Sequence, residues 1–225
     1  MSLDDLVYRA RPAAAEPEGV LVLLHGRGVD ETDLFPLLDL LDPDHRLAAF
    51  TPRAPLRIPQ QPGHHWYAVE RVGFPHAATF QNTYQMLDDW LAAVADETGV
   101  APGRTILGGF SQGSVMAYAL GLGAGRPLPA GVLALSGFVP TVEGWRIDLE
   151  GRGSLPVYVG HGVNDPIISV DFARLARELL EGKVDLTYRE HPGGHSIDPR
   201  SFDEIREWVA RAVNAAGAGA GPTAA

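Results

Sequence analysis

The sequence predicts an α/β fold on three observations: short β-rich runs alternate with longer segments of helical period, several runs are apolar throughout, and one strand-to-helix junction carries a glycine-flanked serine. Runs without a polar face suit parallel strands covered on both sides. The chain has 225 residues, 45% hydrophobic and 20% charged, which fits a single core and excludes a disordered or collagen-like polymer. One domain is expected over residues 1–214, followed by a disordered Ala/Gly-rich tail over 215–225 that has no apolar stripe.

In chain order, strands are predicted at Leu6 to Arg9, Val20 to Leu24, Leu47 to Thr51, Thr105 to Gly108, Gly131 to Leu135, Pro156 to Gly160 and Val184 to Arg189. Met86, Leu87, Trp90, Leu91 and Val94 recur at helical spacing, with Gly99 placed as a left-handed C-cap. A second helix follows Asp171 and closes at Gly182. A third opens at Ser201, where Glu204 has capping-box spacing. The irregular stretches Thr51 to Thr83 and Gly137 to Leu155 follow strand ends, so they should wall a site at the carboxyl edge of the sheet.

Eighteen basic against 28 acidic residues give a net charge of −10, the wrong sign for a nucleic-acid surface. With no cysteine, the nucleophile is not a thiolate and neither a disulfide nor a thiolate metal site is available. The start, with Asp4 and Asp5, lacks signal-peptide character, and no apolar run is long enough to span a bilayer. A soluble cytoplasmic protein is expected.

Gly109, Phe110, Ser111, Gln112 and Gly113 spell G-x-S-x-G between a predicted strand and helix. Such a turn presents the serine hydroxyl at a helix N-terminus, where backbone N–H groups favour an oxyanion. A serine hydroxyl is a weak nucleophile and needs a base with a group to orient it. Asp165 and His195, each after a later predicted strand, complete the order Ser, Asp, His of the α/β-hydrolases. Ser111 read as a mere turn or cap leaves those two unexplained; Asp171 lies inside a predicted helix, and His191 ends a strand before Pro192. Backbone N–H groups of Gln112 and Arg27 are the expected oxyanion donors; the Arg27 side chain either attracts an acidic substrate group at the mouth or pairs with Asp30 or Glu31, and the pairing is the expectation. Trp66, Phe138 and Ile167, in edge loops, are candidate pocket residues. His25 and His161, each before a glycine at a strand end, are read as structural. No histidine pair has zinc-binding spacing, and neither metal nor cofactor is expected.

These residues resemble the phospholipase/carboxylesterase family of small α/β-hydrolases, which includes bacterial carboxylesterases and acyl-protein thioesterases. The likeness rests on L-H-G-x-G at Leu24 to Gly28, T-P-R-A-P at Thr51 to Pro55, W-Y at Trp66 and Tyr67, G-F-S-Q-G at Gly109 to Gly113, L-S-G at Leu135 to Gly137, H-G-x-x-D-P at His161 to Pro166 and G-G-H at Gly193 to His195. It implies Ser111 as nucleophile, His195 as base, Asp165 as its orienter and the same two oxyanion donors. Two places depart from the family: Arg27 stands where a small or apolar residue is expected, and Ile58 to His65 is unlike the usual loop. Only 30 residues (165 − 135) separate Leu135 from Asp165, too few for a lid domain.

The expectation is a serine carboxylesterase that acts through an acyl-enzyme on a small-molecule or lipid-like ester. A lysophospholipase or acyl thioesterase would use the same residues, and a non-catalytic ligand-binding protein on this scaffold is the rival of another class. A homodimer is implied by resemblance alone.

Overall fold

The computed structural model describes residues 2–218. Seven strands form the central sheet: β1 (Tyr8–Arg11), β2 (Gly19–Leu24), β3 (Leu47–Pro52), β4 (Thr105–Phe110), β5 (Gly131–Leu135), β6 (Pro156–Gly162) and β7 (Asp185–His191), in the spatial order β1-β3-β2-β4-β5-β6-β7. Only β1 runs antiparallel to its neighbour. Alternate side chains feed two cores, as the period of a strand requires. Val20, Val22 and Leu24 point to one face with Leu107, Val132 and Val157, while Leu21 and Leu23 point to the other with Ile106, Leu133 and Tyr158.

The first face is covered by α2 (Ala77–Thr98), α3 (Gln112–Leu122) and α4 (Val170–Leu180), the second by α1 (Leu37–Leu41) and α5 (Phe202–Ala218). Helix α3 is buried on every side. Gly113, Ala117 and Gly121 recur along it at four-residue spacing and let its backbone lie close to the sheet; a Cβ on Gly121 would stand 2.3 Å from Val132.

Several local expectations are corrected. Helix α4 is capped by Ser169, whose hydroxyl accepts from the Asp171 amide, so Asp171 lies in its first turn. No capping box forms at Ser201, because a 3-10 turn capped by Asp198 precedes α5 and Glu204 is instead bonded to Tyr158 and Arg189. Helix α5 continues past Asn214 to Ala218, so the expected tail at 215–225 is helical in its first residues; positions 219–225 lie outside the described residues. Helix α1, only five residues long, has no periodic signal in the sequence. The long stretch after β3 carries two small ladders, Leu56–Arg57 with His64–His65 and Val69–Arg71 with Phe74–Pro75.

The chain crosses from one side of β2 to the other between β3 and β4. The carboxyl ends of β2 and β4 therefore flank the switch point of the sheet, where open α/β folds receive ligands.

Candidate active site

Ser111 follows β4 directly, with φ 55° and ψ −120°, a conformation that costs a non-glycine residue roughly 1–3 kcal/mol. Its neighbours make the turn sterically possible. A Cβ on Gly109 would lie 2.4 Å from the Gly113 carbonyl carbon, and one on Gly113 would lie 1.9 Å from the Leu24 oxygen. Both glycines of the motif are thus demanded by backbone approach. The Ser111 amide donates to Leu135 O at 2.8 Å, which pins the turn to β5 and leaves the side chain to extend from the sheet edge.

Three sequence-predicted residues meet there. His195 Nε2 lies 2.8 Å from Ser111 Oγ, and His195 Nδ1 lies 2.6 Å from Asp165 Oδ2. With Nδ1–H donating to the carboxylate, Nε2 is left as acceptor for the serine O–H. The other carboxylate oxygen of Asp165 accepts the Ile167 and Ile168 amides at 2.8 and 2.9 Å. Burial opposes charge on Asp165, but the bond from His195 and these two amides outweigh it and hold the carboxyl below its ordinary range. Phe110 packs its ring 4.9 Å from that of His195.

The loops carrying Asp165 and His195 are tied together by the Val163 amide to His191 O at 2.8 Å, the Asn164 amide to Gly193 O at 3.1 Å and the Asn164 side chain to Pro192 O at 2.8 Å. A Cβ on Gly162 would stand 2.2 Å from Gly194 O, so only glycine permits this crossing. His161, fully buried, donates Nε2–H to Ile168 O at 2.8 Å. Burial lowers its pKa and keeps it neutral.

The loop after β2 is held from beneath. His25 donates Nδ1–H to Gly26 O at 2.6 Å and accepts the Ala54 amide at Nε2 at 3.0 Å, an arrangement that needs a neutral ring; burial depresses its pKa to about 4. Next in the chain, the Arg27 amide makes no hydrogen bond among the described residues. Gln112, first residue of α3, has no carbonyl four residues back within its helix. Both expected oxyanion donors are thus unengaged beside Ser111.

A cleft of about 320 Å³ opens from Ser111, with Phe138 and Ile167 in its wall. Trp66, the third pocket candidate, is not there. It is fully buried, donates Nε1–H to His25 O at 2.7 Å and packs its ring, tilted, 5.0 Å from that of His25, so it supports the loop after β2 from the core. The Arg27 side chain also departs from expectation: Glu31 is held by Arg53 at 2.5 and 2.6 Å, Asp30 accepts from Thr32, and Arg27 lines the cleft instead.

Sequence reasoning missed the Val69–Pro75 ladder, which supplies Val69, Arg71, Val72 and Pro75 to the cleft. It also missed the Gln112 side chain, which accepts from the Trp66 amide and donates to Tyr67 O, both at 2.8 Å, and so fixes the chain entering that wall. A buried amide side chain must find both kinds of partner, which was the available signal. Among the described residues no group of three His, Asp or Glu could hold a metal ion, and no helix is long and apolar enough to cross a membrane.

A family model described as Phospholipase/Carboxylesterase matches residues 9–213. Acyl-protein thioesterase 1 of Gibberella zeae is 26% identical over 219 residues, covering 88% of this chain and 92% of that protein. Among solved structures, esterase PE8 matches with a TM-score of 0.78 and 28% identity over 92% of this chain and 98% of its own. The carboxylesterase of Bacillus cereus matches with a TM-score of 0.78 and 22% identity over 92% and 94%, a likeness of fold.

Proposed function

The chain belongs to the phospholipase/carboxylesterase family and is an ester hydrolase; from that premise we propose that it is a serine carboxylesterase working through an acyl-enzyme. The observation that carries the reading is the unbroken line Ser111 Oγ, His195, Asp165 at 2.8 and 2.6 Å, set at the start of α3. His195 Nε2 takes the hydroxyl proton as Oγ attacks the ester carbonyl, and Asp165 stabilises the imidazolium that results. The Arg27 and Gln112 amides receive the tetrahedral oxyanion, with the positive end of α3 behind Gln112. His195 then protonates the leaving alcohol. In the second half it activates water, which attacks the acyl carbon and releases the acid and free Ser111.

The test is kcat/KM for p-nitrophenyl esters from acetate to palmitate, with Ser111→Ala as the blank. A drop in kcat of about 10⁴-fold or more is expected in the variant, and near wild-type turnover would remove Ser111 from the mechanism. The named fungal relative gives one reason to weigh a second reading, acyl-thioester hydrolysis by the same residues. Oxygen and sulfur esters of one acyl group, compared on one preparation, separate the two.

A further inference from the structure

We propose that the cleft selects esters whose acyl part carries a free carboxylate, which the guanidinium groups of Arg27 and Arg71 receive. The inference rests on the ester-hydrolase reading of Ser111 and adds to it a substrate class.

Direction comes first. His195 must face the leaving oxygen in order to protonate it, yet the cleft beside Ser111 is not lined by His195. The acyl part, on the other side of the attacked carbon, is the part that enters the cleft. The walls it meets are Val69, Val72, Phe138 and Ile168, which suit methylene groups, together with two arginines and no carboxylate.

Those arginines are free to serve. Neither makes an ion pair or a side-chain hydrogen bond among the described residues, whereas Arg53, in the neighbouring segment, is closed off by Glu31. Arg71 lies with its guanidinium carbon 3.5 Å from the centroid of Phe74, its cross-strand partner. The ring covers one face of the guanidinium and leaves its N–H edge available, so less rotamer freedom is lost on meeting an anion. Arg27 reaches the same cleft from the loop whose amide is offered to the oxyanion, so carbonyl and carboxylate of one substrate could be held from one segment. On a chain of net charge −10, two exposed arginines without an acidic partner among the described residues line one cleft that holds no other charged side chain.

The test compares monomethyl esters of the straight-chain diacids from succinic to suberic with the matching ester amides, which keep the shape and lose the charge. Methanol release gives kcat/KM for each. At the best chain length the half-acid should exceed its amide by about 10-fold or more, and the excess should shrink with added salt. Arg71→Gln and Arg27→Gln should each bring that ratio toward one, with Arg71→Lys retaining part of it; using the ratio cancels any disturbance of the Arg27 amide. A ratio at or below one at every length overturns the proposal while the esterase reading stands. A high ratio that survives both Gln variants overturns the assignment to these arginines. Absence of Ser111-dependent turnover of half-acids and amides alike overturns the inference together with its premise.

Discussion

The carboxyl ends of β4 and β5 are built alike and are equipped for different ends. Each strand finishes in a buried serine with positive φ, 55° at Ser111 and 53° at Ser136. Each serine amide donates at 2.8 Å to the next strand, Ser111 to Leu135 O and Ser136 to Gly160 O. Ser111 opens a helix and meets His195; Ser136 opens none, and its hydroxyl has no partner among the described residues, although it borders a cavity of about 350 Å³ lined also by Tyr158 and His191. Positive φ at the end of a strand is therefore common to both serines. What distinguishes Ser111 is a base within hydrogen-bond reach and unpaired amides beside it, both supplied by other parts of the chain.

The sharpest way to break this comparison is covalent labelling. A fluorophosphonate should modify Ser111 and leave Ser136 untouched, and Ser136→Ala should keep turnover within about twofold while Ser111→Ala loses about 10⁴-fold. Labelling of Ser136, found by peptide mass mapping, would refute the distinction.

Next in size are the glycines that seal each strand end. Gly113→Ala would press a methyl to 1.9 Å from the Leu24 carbonyl oxygen, which is fixed in the sheet, so a loss of about 3 kcal/mol or more in urea unfolding is expected. Gly137→Ala would meet the Ser114 hydroxyl first, at 1.8 Å, and a side chain yields more readily. The Gly113 variant should therefore be the less stable of the two.

A third expectation concerns the loop at the end of β2, which passes beside Ser111. His25 titrates near 6.5 in the unfolded chain and near 4 in the fold, so the unfolded state takes up the proton first as pH falls. Its contribution is complete above pH 6.5 and is lost progressively down to about 4, a change of about 3 kcal/mol. Unfolding free energy measured across that window should fall less steeply in His25→Gln than in wild type, and equal slopes would count against a neutral buried imidazole. Smallest of all, Ser136→Ala removes a buried hydroxyl without a partner and should shift stability by no more than about 1 kcal/mol, in either direction.

Much of the candidate site's framework was legible because it is local or patterned. Short β-rich runs marked all seven strands of the sheet to within a few residues, Gly99 ended α2 at φ 67°, and G-x-S-x-G announced a turn that glycine alone allows. The cleft was harder to read. Trp66 sits in an edge loop, and nothing in its neighbourhood along the chain says that its indole N–H will find His25 O, 41 positions away. Arg27 was assigned to Asp30 or Glu31 by proximity in sequence, but Arg53 has the better geometry for Glu31 and takes it through two bonds. The Val69–Pro75 ladder is short and exposed, so it lacks the periodicity that marks a buried strand.

The sequence by itself determined the sheet, the serine turn and the identities of the three residues in line, because strand period, helix caps and glycine-only contacts are written within a few neighbours. Only the tertiary structure decided which polar groups remain free. Hydrogen-bonding partners compete across the whole fold: Arg53 takes Glu31 and so leaves the Arg27 guanidinium without an acidic partner among the described residues, while the Gln112 side chain fixes the Trp66–Tyr67 backbone and His25 receives the Ala54 amide.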